Sequence, residues 1–290
     1  MGNKPPTLLI DSMSVCHRVK HTACDPDQPG QQGCAIIGFL DTLQWLIDLF
    51  NTDDIVFAWD SRKSVRKEIF PKYQYKRHDK SKKTPKELAF DKLCYQQFNF
   101  IKYKLIPSMG FKNNFLQTGY EADDIIAHIV KSYSNGLYKF IIVTVDQDYY
   151  QLLDYTDIFD PWKKTLITVK DFWNQYRLRP QQWVDYKAIA GCKSDKVPGI
   201  KGVGEKSALH YLQGSRYLVK EHILKKIENG SEQREFCRKL VELPYQGTKL
   251  FKLNWNSFHF KPMEQVCTNT GVSLPIKTKS FWLNLLEDIL

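Results

Sequence analysis

The stretch from Tyr120 to Asp148 reads YEADDIIAHIVKSYSNGLYKFIIVTVDQD. It opens on Glu121, Asp123 and Asp124 and closes on Asp146 and Asp148. In between, Ile125, Ile126, Ile129, Val130 and Tyr133 recur at i, i+1, i+4, i+5 and i+8, which is one face of a helix. Phe140 to Val145 is a continuous run rich in β-branched residues, expected of a strand buried on both faces. One acid group therefore begins a helix, and another ends a core strand.

Two earlier apolar strands also end in aspartate. Thr7 to Ile10 runs into Asp11, and Ile55 to Trp59 runs into Asp60. A helix pattern over 35–50 lies between them, and Phe111 to Leu116 is a strand entering the Tyr120 stretch. Short strands are expected at 158–160 and 165–169. Helices are expected at 169–176 and 180–190, a glycine-punctuated turn and helix at 198–213, two more helices within 217–242 and one at 280–290, with 244–275 irregular. Strand–helix alternation over the first 170 residues predicts an α/β fold with a central, mainly parallel sheet flanked by helices. The division expected is an α/β core over 1–178 and a helical subdomain over 179–290.

In a parallel sheet the strand ends lie along one edge, where open α/β folds bind ligands. Asp11, Asp60, Asp146 and Asp148 would meet there, joined by Glu121, Asp123 and Asp124 from the helix start. Each acid alone has a plainer explanation, as a turn former or as a residue favoured by a helix N-terminus. Together they would repel and raise one another's pKa unless a cation neutralised them. Hard oxygen ligands without His or Cys suit Mg²⁺ or Mn²⁺. So many acids suggest two ions about 3.5–4 Å apart, as in phosphodiester hydrolysis.

The 290-residue chain carries a net charge of +10. That excess fits a polyanionic partner, although charge alone is equally a solubility device. Bases crowd 62–104, from Arg62 and Lys63 to Lys72, Lys76, Arg77 and Lys86, with Tyr73 and Tyr75 among them. Aromatics interleaved with base permit stacking on nucleobases beside phosphate contacts. No apolar run is long enough to span a membrane, and Met1 to Pro6 lacks the apolar core of a signal peptide. The seven scattered cysteines, without a C-x-x-C pair, are expected as free thiols in a reducing cytoplasm, with Cys24 and Cys34 the one pair placed to bridge. A monomer is expected, since no hydrophobic stripe marks a dimer seam.

Gly199-Ile200-Lys201-Gly202-Val203-Gly204-Glu205-Lys206-Ser207 follows one helix and opens another. Amides at such a helix start hold phosphate. The string is not a P-loop and follows no strand, so a clamp on a DNA backbone, with Gly199, Lys201, Gly202, Gly204, Lys206 and Ser207 in contact, stands beside an ordinary tight turn.

Tyr120 to Asp124, Thr144 to Asp148 and Gly191 to Gly204 together resemble the signature segments of the flap endonuclease/5′-3′ exonuclease family. The likeness runs from Thr7 to about residue 215, and is similar to bacteriophage and bacterial stand-alone members and to the 5′ nuclease domain of bacterial DNA polymerase I. The resemblance implies a first metal site at Asp11, Asp60, Glu121 and Asp123, with Asp124 alongside, and a second at Asp146, Asp148 and Asp195. It implies catalytic roles for these acids and for Lys76 and Arg77. It also implies a helical arch at about 62–105 with Lys72, Tyr73, Lys76 and Arg77 on DNA, and a helix-turn-helix clamp at about 191–213 with a bound K⁺. The implied substrate is DNA with 5′ flaps or single-strand/duplex junctions.

Two departures stand out. The family reads G-D-x-x-D where this chain has Gly191-Cys192-Lys193-Ser194-Asp195, so Cys192 replaces a carboxylate of the second site. The family's Y-K-x-x-R becomes Tyr73-Gln74-Tyr75-Lys76-Arg77, with Gln74 in the place of the lysine and Lys76 or Lys72 as its substitutes. The alternatives are a junction-DNA binding factor with impaired catalysis, motivated by Cys192, and an RNase H-like or PIN-type ribonuclease, which shares clustered acids but lacks arch and clamp.

Overall fold

Alternation decides which way each strand residue faces, and here both faces are covered. The computed structural model describes residues 5–27, 33–74, 83–134 and 138–287, with side chains up to 285 in the last of these. Six strands form one sheet: Thr7–Asp11 (β1), Ile55–Trp59 (β2), Asn114–Leu116 (β3), Phe140–Val143 (β4), Asp157–Asp160 (β5) and Thr165–Ile167 (β6). Their order is β3-β2-β1-β4-β5-β6, parallel throughout except for the β5–β6 hairpin.

Leu8, Ile10, Phe57, Trp59, Ile141 and Val143 face one side. Helices Ser12–Thr22 (α1) and Cys34–Phe50 (α2) cover them. Leu9, Val56, Ala58, Phe140 and Ile142 face the other. Helix Ala122–Tyr133 (α6) packs there through Ile125, Ile126, Ile129 and Val130, the stripe expected from the sequence. Between the two lies the basic region. It contains the short helix Arg66–Ile69 (α3) and helix Pro85–Phe100 (α4), which runs through a π-helical turn at Ile101–Leu105 into Ile106–Ser108 (α5). A capping box of Thr84 and Glu87 fixes the start of α4.

Downstream come Val169–Tyr176 (α7), Gln182–Ala190 (α8), Glu205–Leu212 (α9), Glu221–Asn229 (α10) and Ser231–Val241 (α11). Val184, Ala188, Cys237 and Leu240 pack α8 on α11, and Ile189, Ala208 and Ile227 join α8, α9 and α10.

Two expectations are corrected. Residues 244–275 are not wholly irregular, because Phe260–Asn269 (α12) is helical. Its apolar face is only Phe260, Met263 and Cys267, too short a pattern to stand out with Pro262 in the first turn. The chain over 179–290 also packs beyond its own helices. After α11 the chain passes β3, where Gln117 donates to the Gly247 carbonyl (2.9 Å) and Asn113 to that of Asn254 (2.8 Å). Then α12 and Ile276–Glu287 (α13) return to the α1–α2 side, inserting Met263, Cys267 and Trp282 into its core. Finally, Cys24 and Cys34 are joined in a disulfide, since the end of α1 and the start of α2 bring their Cα atoms to 5.3 Å. Cys16, Cys94, Cys192, Cys237 and Cys267 are free and buried.

Candidate metal centre and nucleic-acid interface

The parallel register sets the first acids side by side. Asp11 pairs with Ala58, two residues before Asp60, and Ile10 pairs with Val143, three before Asp146. Asp11 also caps α1, accepting the Ser14 amide (3.1 Å) and the Thr144 hydroxyl (3.0 Å). Asp60 accepts the Ala122 amide (2.8 Å), which ties the end of β2 to the start of α6. Asp123 in the first turn of α6 accepts the Asp124 amide (2.7 Å). Glu121 at the cap takes donors from Ser64 (3.3 Å), Tyr73 (3.3 Å) and Gln74 (3.0 Å).

These four acids behave as one charged group. Burial, then Asp60 and Asp146, raises Asp11 to about 7. Burial and nearby Asp60 and Asp124 raise Glu121 to about 7, against a lowering by Arg66. Burial, Asp124 and Glu121 push Asp123 well above the usual carboxylate range. Among the described residues no three of these carboxylates close on one point, since each has turned to a local donor. The donor set nevertheless fits a hard divalent cation, with four crowded carboxylates, three of them raised by burial, and no soft ligand. The Tyr149 hydroxyl agrees with this. It is fully buried, makes no hydrogen bond among the described residues, and is raised well above its ordinary pKa by burial and then by Asp11, Asp123, Asp146 and Asp60. An orphaned oxygen beside crowded acids marks a place where polar groups lack a counterion or water.

The second acid group is arranged differently. Asp146 follows β4 and accepts the Asp148 amide (2.9 Å). Burial, then Asp148, raises it to about 7. Asp148 is ion-paired to Lys187 Nζ of α8 at 2.7 Å. Asp195 is buried and accepts from Gln74 (3.1 Å), the Cys192 thiol (3.0 Å) and Ser194 (2.9 Å). The Gln74 amide therefore bridges Glu121 and Asp195, linking the two groups.

Two expected site residues have other partners in this arrangement. Asp124 is turned to Arg66. It is fully buried, and its two oxygens take a bidentate pair from Arg66 (2.7 and 2.8 Å). The Tyr245 amide and the Glu121 amide also donate to it (2.8 and 3.2 Å). Tyr73 is 4% exposed, packed with Val184, Ala188 and Val197, and holds Glu121 rather than presenting a face for stacking. Lys72 is exposed as expected. Lys76 and Arg77 lie outside the described residues. Sequence reasoning missed Arg66, Lys187, Thr144 and Tyr149, and took Gln74 for a mere substitution. Lys187 carried no signal, whereas Arg66 could have been sought as the counter-charge to a doubled aspartate.

At the glycine-rich hairpin, Gly199 and Gly202 take positive φ (64° and 81°), which favours glycine. A Cβ on Gly199 would lie 2.5 Å from the Gly191 amide, so the two segments touch backbone to backbone. Ile200 and Val203 anchor the turn in the core and leave Lys201 and Lys206 exposed. Gly204 has neither positive φ nor a close neighbour, and serves as the cap of α9. A groove of about 880 Å³ borders the turn, lined by Gly199, Lys201, Gly202, Lys225, Lys226 and Gln233. The Lys226 ammonium lies 2.8 Å from where a Cβ on Gly202 would stand, so α10 adds two bases that the sequence did not single out.

Residues 6–177 match the family model "5′-3′ exonuclease, N-terminal resolvase-like domain", and residues 178–265 match "5′-3′ exonuclease, C-terminal SAM fold". The chain belongs to the 5′-3′ exonuclease family. The sequence resemblance stated above is therefore correct, and this is a family of metal-dependent hydrolases that act on DNA. Among its relatives, the 5′-3′ exonuclease of Aquifex aeolicus is 32% identical over 222 residues, covering 75% of this chain and 71% of that one. Thermostable DNA polymerase I of Thermus thermophilus is 32% identical over 231 residues, covering 78% of this chain and 26% of the polymerase. The exonuclease-family chain thus spans about a quarter of the polymerases it matches. The bacteriophage T5 D15 flap endonuclease, solved with DNA and metal ions, shares the fold at a TM-score of 0.70 and 20% identity, over 97% of this chain and 99% of that one. The family match does not favour the ribonuclease or the binding factor.

The raised acids make a prediction about pH. Below about 7 the native carboxyls keep protons that unfolded carboxylates, with pKa about 4, have lost. Their contribution to stability is therefore largest at low pH, and falls as pH rises from about 4 to 7. A divalent cation binds the deprotonated form. The rise in thermal midpoint on adding Mg²⁺ should then grow between pH 5 and pH 8, and thermal melts with Mg²⁺ and with EDTA measure it. An equal rise at both pH values would contradict this reading of the acids.

Proposed function

We propose that this chain hydrolyses phosphodiesters near the junction of a 5′ single-stranded flap and duplex DNA, and also removes nucleotides in the 5′-3′ direction. One observation carries the proposal. Three parallel strands and the first turn of α6 deliver Asp11, Asp60, Asp146, Glu121 and Asp123 to one edge of the sheet, and the pKa values of Asp11, Asp146, Glu121 and Asp123 rise together there. Mg²⁺ or Mn²⁺ held by Asp11, Asp60, Glu121 and Asp123 would polarise the scissile phosphate and lower the pKa of an attacking water.

The chain's own groups do the rest. Ser64, Tyr73 and Gln74 orient Glu121, while the Ala122 amide orients Asp60. Thr144 joins Asp11 to Asp146, donating to the first (3.0 Å) and accepting the amide of the second (3.1 Å). Backbone amides of the Gly199–Gly204 turn, with Lys201, Lys206, Ser207, Lys225 and Lys226, hold a duplex phosphate strand, and K⁺ is proposed at the same turn. Lys72, Lys76 and Arg77 hold the single-stranded 5′ end. The chain is proposed to act as a monomer. No described helix is long and apolar enough to cross a membrane.

A 5′-flap duplex, a 3′-flap duplex and an RNA–DNA hybrid, compared in Mg²⁺, test the reading. Cleavage of the 5′-flap near its junction and little of the others is the expected result. Preferential cleavage of the hybrid would replace it with a ribonuclease.

A further inference from the structure

The second acid group lacks what the first has. Asp148 is paired with Lys187 Nζ at 2.7 Å, and their side chains are 13% and 14% exposed. The same ammonium lies 3.9 Å from Cys192 Sγ and over the Trp183 ring. Cys192 contributes a thiol where the family pattern has a carboxylate, and thiols are poor ligands for Mg²⁺. Asp195 takes Gln74 on one oxygen and the Cys192 thiol and Ser194 on the other. Of the three remaining acids, Asp148 is neutralised by an ammonium, and Asp195 accepts from Gln74, Cys192 and Ser194 among the described residues. The first group differs. Among the described residues, the hydrogen bonds of Asp11 and Asp123 come from amides and a hydroxyl, and the Arg66 guanidinium, 3.6 Å from Glu121, is committed to Asp124.

We propose that Lys187 supplies the positive charge at the second position in place of a divalent ion, so that the free chain binds one divalent cation, at the first acid group. A second cation would have to displace a partly buried ion pair and then sit beside the displaced ammonium, where like charges repel. The missing carboxylate at Cys192 removes the charge that would offset this. The inference rests on the reading of Asp11, Asp60, Glu121 and Asp123 as metal ligands.

Mn²⁺ titration of the metal-free chain without DNA, counting free ion by its paramagnetic resonance, reads the stoichiometry directly. One ion per wild-type chain is expected, and two for the double variant Lys187→Ala, Cys192→Asp. Two ions on the wild type would overturn the proposal while leaving the first site intact. None would overturn the ligand reading itself. A folded double variant that still binds one ion would show that Lys187 and Cys192 are not what excludes the second.

Discussion

Asp123→Asn should lower Mg²⁺-supported cleavage of 5′-flap DNA roughly 10³-fold or more, because a metal ion's charge stabilisation is worth several kcal/mol and each 1.4 kcal/mol is tenfold in rate. Asp123 is half-buried in the first turn of α6, within the group of Asp60, Glu121 and Asp124. Its carboxylate accepts the Asp124 amide proton. Asparagine keeps an oxygen for that bond and removes only the charge, so the fold should stand. DNA binding in EDTA should not weaken, since one fewer negative charge faces the phosphates. Single-turnover cleavage with a binding isotherm measures both. Full cleavage by the variant would remove Asp123 from the site.

The second large effect concerns stability. Arg66→Met should destabilise the chain by about 3–5 kcal/mol, the cost of stranding a buried charge. Arg66 is 1% exposed and Asp124 fully buried, and the pair is bidentate. The guanidinium also donates to the Leu240 carbonyl (3.0 Å) and lies over the Tyr245 ring (4.9 Å). One side chain thus ties α3 to α6, to α11 and to the segment beyond it. The double variant Arg66→Met, Asp124→Leu should recover part of the loss, because no charge is left without a partner. Urea denaturation of the three chains tests this. Equal loss in the single and the double variant would mean that packing, not charge, sets the cost.

Apolar runs that end in aspartate were readable without coordinates, because a strand buried on both faces needs unbroken hydrophobicity and a charge must wait for its end. For that reason Asp11, Asp60 and Asp146 could be placed on one edge from residue order alone. Asp123 and Asp124 could not be told apart. Adjacent acids at a helix start share the same local preference, and only Arg66, 58 residues away from Asp124, separates the two roles. Aromatics among bases look like a nucleic-acid surface, whereas Phe70 and Tyr73 pack down on α8 and α11. Lys187 sits in the last turn of α8 with no motif around it, and its approach to Asp148 follows from how α8 crosses the 3₁₀ turn Gln147–Leu152. The return of α12 and α13 to the α1–α2 side was hidden for a similar reason. Their apolar stripes were short, and the face that they cover was already predicted to be core.

Cleavage of a 5′-labelled flap duplex by the wild-type chain, with Mg²⁺ and with EDTA, tests the central claim most directly. Release of a short 5′ fragment ending near the junction is expected in Mg²⁺ and not in EDTA. An intact flap in Mg²⁺ and in Mn²⁺, with the DNA still bound, would contradict it.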